Sequence, residues 1–160
     1  MKKALITGAS GFIGQHLVDR LKEEGFSLRL LVNRHAALQR NIEVIQGDLT
    51  DASSVKGITA GCDSIFHLAG KAHAVDELNG DNPSYHLINV EGTRHLLDDA
   101  VANKVRRFIF FSSVKAMGEE ADVPIDESTP PQPLTAYGRS KWEGENLVFD
   151  YARRFGFHAV

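Results

Sequence analysis

Residues 7–14 read TGASGFIG, with glycines at 8, 11 and 14 between the apolar run Ala4, Leu5, Ile6 and an apolar-periodic segment that begins at Phe12. A chain that drops its side chains where a strand becomes a helix is built for close approach. Without a Cβ, the backbone takes positive φ freely, and another backbone or a bulky anion can lie against it. The start of the following helix presents unpaired N–H groups and a partial positive charge, a combination that suits a phosphate. The alternative is a glycine-rich turn with no ligand, and the strand-turn-helix setting is what separates the two readings.

That setting is supplied by the rest of the chain. Residues 3–7, 27–32, 42–46, 64–67 and 107–112 read as strands, several of them too uniformly apolar for a half-exposed sheet and suited to a buried parallel one. Between them the pattern predicts helices over 12–24, a shorter one after Asp51, 83–103 with Asn82 as its cap and Pro83 in its first turn, and 135–155. Strand alternating with helix predicts an α/β fold: a doubly wound parallel sheet in three α/β/α layers with right-handed crossovers. Gly8 then falls at the first strand-to-helix turn, where such sheets take a dinucleotide. A long loop over 114–134 contains TPPQP and follows the carboxyl end of a strand, a setting typical of functional loops. After a helix-stopping Gly156, FHAV reads as the start of a sixth strand, so the expectation is one domain over 1–160, truncated there.

Charge and composition remove several classes of function. A net charge of -3, with no dense Lys/Arg cluster, argues against nucleic acid. The longest apolar stretches, such as FIFF at 108–111, are too short to cross a bilayer, and MKKALITG runs into glycine instead of a signal-peptide core; a cytoplasmic protein is expected, with no membrane partner. Cys62 has no partner for an internal disulfide. The seven histidines form neither HExxH nor a Cys/His cluster, so no metal is expected.

Chemistry enters with YGRSK at 137–141. Tyr137 and Lys141 are four residues apart on a predicted helix and share one face. A free tyrosine titrates near 10, and lowering that by about three units takes about 4 kcal/mol. A cation about 4 Å away at an effective dielectric of about 20 contributes on that order. One lysine therefore suffices, in principle, to make Tyr137 a general base. A serine from FFSSV at 110–114, Ser112 or Ser113, could hold the same substrate oxygen in line.

With these residues in place, the chain resembles the extended short-chain dehydrogenase/reductase family, the NAD-dependent epimerase/dehydratase group. The resemblance spans essentially all of its length and rests on TGASGFIG, GDLTD at 47–51, HLAG at 67–70, NVEGT at 89–93, FFSSV and YGRSK in order and spacing. It implies a Rossmann fold whose C-terminal substrate-binding segments would follow Val160. It implies that Gly8, Gly11 and Gly14 cradle a pyrophosphate together with Ser10, Phe12 and Ile13 of the same turn, that Asp48 and Leu49 contact the adenine, and that Leu68, Ala69 and Gly70 line the dinucleotide. Asn89 would support the active site from its helix. Ser113, Tyr137 and Lys141 match the catalytic serine, tyrosine and lysine, and Lys141 would also hold the nicotinamide ribose.

Two departures bear on the cofactor. The glycine spacing is G-x-x-G-x-x-G instead of G-x-G-x-x-G, and the slot for an acidic residue at the end of the second strand holds Val32. With no carboxylate for a ribose 2′-hydroxyl and Arg34 nearby to pair with a 2′-phosphate, the site favours NADP over NAD, although Asn33 could still bond a free hydroxyl. The loops SSVKAMGEE and HLAGKAHAVDE, with Lys115 and His73, are similar to the branch acting on nucleotide-linked sugars, as a 4-epimerase or 4-ketoreductase, and the resemblance implies a homodimer in the full-length protein. The alternatives are a reductase of another small carbonyl compound and a non-catalytic dinucleotide sensor. A sensor need not keep serine, tyrosine and lysine together, and this chain keeps all three, which favours the enzyme.

Overall fold

The computed structural model describes residues 2–33, 42–72, 82–118, 124–126 and 128–160. The readings placed on Arg34 and His73 lie outside these. Strands β1 (Lys3–Thr7), β2 (Ser27–Val32), β3 (Glu43–Gln46), β4 (Ser64–His67), β5 (Arg107–Phe110) and β6 (His158–Ala159) form one sheet in the order β3-β2-β1-β4-β5-β6. Every neighbouring pair is parallel. The order reverses between β1 and β4, so the crevice at the carboxyl end of β1 is the switch point of a doubly wound sheet. This is the expected Rossmann-like architecture, and β6 takes up the sixth strand that FHAV suggested.

Side-chain alternation divides the core between two faces. Ala4, Ile6, Leu28 and Leu30 point to one face, where Val18 and Leu21 of helix α1 (Phe12–Glu23) cover them. Leu5, Ile65 and Phe108 stand side by side in register on the other, beneath Leu96 and Leu97 of α3 (Gly92–Ala102) and Val148 of α4 (Ala136–Phe155). Each such leucine or isoleucine is almost fully buried and contributes about 1.5–3 kcal/mol. The two-residue period of the strands thus sorts side chains into two layers.

Helix ends follow the local signals. Asn82 caps α2 (Pro83–His86) by accepting from the Ser84 N–H at 3.0 Å, with Pro83 in the first turn. Thr135 caps α4 by accepting from the Gly138 N–H at 3.0 Å, and Gly156 ends that helix in the left-handed region at φ 74°.

Two elements differ from expectation. The helix predicted over 83–103 is broken by a π-helical turn, Leu87–Glu91, between α2 and α3. The short helix predicted after Asp51 is instead a series of turns closed by i→i+3 bonds, such as Ile58 N–H to Val55 O and Cys62 N–H to Thr59 O. Its backbone groups are taken by distant side chains. The Asp99 carboxylate accepts from Gly57 N–H at 2.5 Å and Thr59 N–H at 2.9 Å, while Arg29 donates to the Ile58 and Ala60 carbonyls at 2.6 and 2.9 Å. Gly57 and Gly61, at φ 80° and 73°, supply the reversals an α-helix would not allow.

Candidate active site

The glycine turn between β1 and α1 is held by the Gly11 N–H donating to Gly8 O at 3.1 Å. Its three glycines have different reasons to be glycine. Gly8 has φ 73°, and a Cβ there would lie 2.6 Å from Ala69 N, so β1 and the loop after β4 meet through it. A Cβ on Gly14 would lie 2.2 Å from Gly8 O, against backbone that cannot rotate away. On Gly11 it would meet only Gly8 O, at an ordinary 3.4 Å. Packing therefore demands Gly8 and Gly14, whereas the room at Gly11 is left to the cavity. Gly11 caps α1 with no side-chain hydrogen bond to the helix N-terminus, so the first N–H groups remain to be satisfied from outside.

A cavity of about 720 Å³ opens in front of that turn. Of the predicted cofactor residues, Gly8, Ser10, Gly11, Asn33, Asp48, Leu49, Leu68, Ala69 and Gly70 line it. Gly14 supports the turn from behind. Phe12 and Ile13 are not among the lining residues; both are exposed at the start of α1, with the Phe12 ring 4.9 Å from His16. The wall also includes Leu31, Val32, Gly47, Thr50, Lys71, Leu87 and Ile88. Of these, Gly47 and Thr50 flank Asp48 within GDLTD and could have been taken with it; Leu87 and Ile88 arrive from a helix distant in sequence and carry no local signal.

Asp48 is a fixed carboxylate at the β2/β3 end of the cavity. It accepts from Thr50 N–H at 2.8 Å and Thr50 Oγ at 2.7 Å, bonds that hold its carboxyl below the usual range, with a longer one from Asn33 Nδ2 at 3.4 Å. The glycine cradle, the open helix end and the anchored Asp48 fit a dinucleotide laid across the strand ends.

Ser113, Tyr137 and Lys141 are not among the lining residues. Ser113 follows β5 and caps a short 3-10 helix, Val114–Ala116, accepting from the Lys115 N–H at 3.3 Å; this turn packs against α4. On α4, Tyr137 and Lys141 are both buried. The Lys141 ammonium donates to Phe111 O at 2.7 Å and lies 4.2 Å from the centre of the Phe110 ring. The Tyr137 ring meets Tyr85 at 5.9 Å, Lys71 Nζ lies 5.0 Å from the Tyr85 ring, and Lys115 Nζ lies 5.8 Å from the Tyr137 ring.

Asn89 joins the two halves. Buried in the π-helical turn, it accepts from Lys71 N–H at 2.7 Å through Oδ1 and donates through Nδ2 to Lys71 O at 3.0 Å and Ser140 Oγ at 2.9 Å. The cavity wall at Lys71 is thereby tied to the helix that carries Tyr137 and Lys141. Gly144 lets α4 come this close, since a Cβ there would lie 2.8 Å from Phe110 Cζ and 3.4 Å from Asn89 O.

Burial lowers the Lys141 pKa to about 8, the Glu145 charge opposing the shift only in part. The ammonium is thus held at a cost to the fold. Between about pH 8 and 10.5 the unfolded chain binds this proton and the native one releases it, so this group makes stability rise with pH across that window. A shift of this size corresponds to about 3 kcal/mol. Lys141→Met is expected to be more stable than wild type at pH 7 and to lack that rise; parallel denaturant melts at pH 7 and 10 test it, and equal pH dependence in the two proteins would count against it.

Among the described residues no group of histidine, cysteine, aspartate and glutamate is placed to hold a metal, and no helix is long and apolar enough to cross a membrane.

The sequence matches the NAD dependent epimerase/dehydratase family over residues 4–160. A uronate dehydrogenase of Pseudomonas putida is 34% identical over 163 residues, covering 99% of this chain and 58% of its own. The structure of UDP-glucose 4-epimerase from Brucella ovis in complex with NAD superposes with a TM-score of 0.88 at 27% identity, over 99% of this chain and 50% of that one. The structure of UDP-glucose 4-epimerase from Thermotoga maritima with UDP-glucose does so with a TM-score of 0.87 at 30% identity, over 98% and 53%. The chain spans about half the length of several curated relatives it matches. A doubly wound sheet, a glycine cradle at its switch point and a match over nearly every residue agree: the chain belongs to the NAD-dependent epimerase/dehydratase family.

Proposed function

We propose that this chain is the dinucleotide-binding part of an enzyme that moves hydride between a nicotinamide cofactor and a hydroxyl or ketone of a nucleotide-linked sugar, as a 4-epimerase or 4-ketoreductase. The observation that carries the reading is the tie from Lys71 in the cavity wall through Asn89 and Ser140 to the Tyr137 helix, which fixes a proton-transferring side chain relative to a dinucleotide cradle. The cofactor, when bound, supplies the hydride acceptor or donor. The uncapped end of α1 and Gly11 would hold the pyrophosphate, and Asp48 would meet the adenine end. Tyr137 Oη takes the proton from the sugar hydroxyl, or returns it to the ketone oxygen, while Ser113 Oγ holds that oxygen in line. Lys141 would place its positive charge beside this exchange and would hold the nicotinamide ribose. The nucleotide-sugar assignment is supported by the likeness to UDP-glucose 4-epimerases, one of them with UDP-glucose. The likeness to a uronate dehydrogenase favours a second reading, reduction of another small carbonyl substrate or, in reverse, oxidation of the corresponding hydroxyl. Assay of the full-length protein with UDP-glucose and with free uronic acids distinguishes the two.

For the cofactor, Val32 at the end of β2 offers no carboxylate to a ribose 2′-hydroxyl, and Arg34 is the cation nearest in sequence, so NADP is proposed over NAD. Fluorescence titration is expected to give tighter binding of NADPH than of NADH, with Arg34→Ala removing the difference. Equal or tighter NADH binding, unaltered in Arg34→Ala, would reverse the assignment and match the NAD held by the Brucella relative.

A further inference from the structure

The catalytic reading makes no use of His67, a titratable side chain only 1% exposed at the end of β4. Its ring is bonded on both sides: Nδ1 lies 2.7 Å from Thr7 Oγ and Nε2 lies 2.9 Å from Thr93 Oγ. The sheet register makes the first contact, since Thr7 and His67 are partners across β1 and β4. The proton positions follow from counting donors. The Thr93 hydroxyl has one proton and gives it to Asn89 O at 2.7 Å, so toward His67 it accepts, and Nε2 carries the ring hydrogen. A neutral ring then leaves Nδ1 as the acceptor, to which the Thr7 hydroxyl donates. Thr7 Oγ in turn accepts from the Ala69 N–H at 3.1 Å, in the loop that lines the cavity.

From these directions we infer that His67 is a positioning residue, a neutral imidazole in the Nε2–H tautomer that fixes the dinucleotide-binding loop relative to the helix carrying Tyr137. This rests on the reading of the cavity as the dinucleotide site. The path of bonds runs from Ala69 through Thr7, His67 and Thr93 to Asn89, and through the Asn89 side chain to Ser140, whose hydroxyl donates to Tyr137 O at 2.8 Å. The surroundings suit a neutral ring. Phe108 and Phe110 pack against it at 5.9 and 5.7 Å, and burial, reinforced by the Lys141 charge, lowers its pKa to about 3. Protonation would force a second donor onto Thr7 and break the sequence of directions. A leucine would fill the space but would leave both threonine hydroxyls without the partner that orients them.

Two measurements on the full-length protein test this. The first is the imidazole ¹⁵N shift of His67 in the wild type, which should report the Nε2–H tautomer with no titration between about pH 5 and 8. An Nδ1–H tautomer, or titration in that range, would overturn the inference. The second is a double-mutant cycle of Thr7→Val and Thr93→Val, read in NADPH or NADH affinity and in kcat, with the melting temperature as a check on folding. Each single variant should lose about threefold or more in both readouts, and the double variant little more than the worse single one. Losses that simply multiply would mean that the two threonines act independently, and the joint would be refuted. A wild-type protein that binds neither dinucleotide would remove the proposed function, while the ¹⁵N measurement, which needs no ligand, would still decide the tautomer.

Discussion

Exchanging Tyr137 for phenylalanine in the full-length protein is expected to lower turnover by about 10²- to 10⁴-fold, the range spanned by loss of a general acid–base group. Dinucleotide affinity should change little. The substitution removes one oxygen and keeps the ring, so the contact with Tyr85 at 5.9 Å and the Asn89–Ser140 tie, which reaches residue 137 only through its main-chain carbonyl, persist. A loss confined to kcat identifies an interaction made in the transition state. Steady-state kinetics beside a cofactor titration is the measurement. Near-normal turnover in Tyr137→Phe would end the acid–base assignment, whereas a matching loss of cofactor affinity would recast Tyr137 as part of the binding wall.

The second large effect separates two glycines three residues apart. Gly14→Ala places a methyl group 2.2 Å from Gly8 O and 2.8 Å from Ala9 Cα, and only movement of the turn backbone relieves it. Overpacking of this kind costs about 1–3 kcal/mol or more, a large share of a native stability of about 5–15 kcal/mol. The expected fall in melting temperature is about 10 °C. Gly11→Ala meets nothing closer than 3.4 Å and has an extended backbone at φ -75° that alanine adopts readily. It should lose about 1 kcal/mol as a poorer helix cap and yet bind dinucleotide far more weakly, because the methyl occupies the face left open to the pyrophosphate. Thermal melts and cofactor titration of the two variants decide it. Unimpaired cofactor binding in Gly11→Ala would show that the ligand does not approach this residue.

The same contrast describes what could be read before the fold was seen. Gly8 and Gly14 were legible as a close approach because their spacing brackets a strand end and a helix start. Tyr137 and Lys141 were legible because four residues on a helix share a face. The segment after Asp51 was not. Its residues carry a passable helical pattern, but Asp99 and Arg29, more than twenty residues away in either direction, take its backbone groups. The π-helical turn was equally hidden, since nothing in LINVE marks where the helix widens to set Asn89 beneath Lys71 and Ser140.

The sequence by itself determined the strand positions, the helices after β1 and at 135–155, the cap at Asn82, and the family to which the chain belongs. These depend on side-chain periodicity and on chemistry within a few residues, both of which are local. Only the tertiary structure decided that Leu87 and Ile88 line the cavity, that the side chains of Phe12 and Ile13 stand exposed at the start of α1, and that His67, one letter of a short motif, is bonded between Thr7 of β1 and Thr93 of α3. Those outcomes depend on hydrogen bonds whose partners are tens of residues apart, and the direction of each bond is set by where its neighbours spend their single protons.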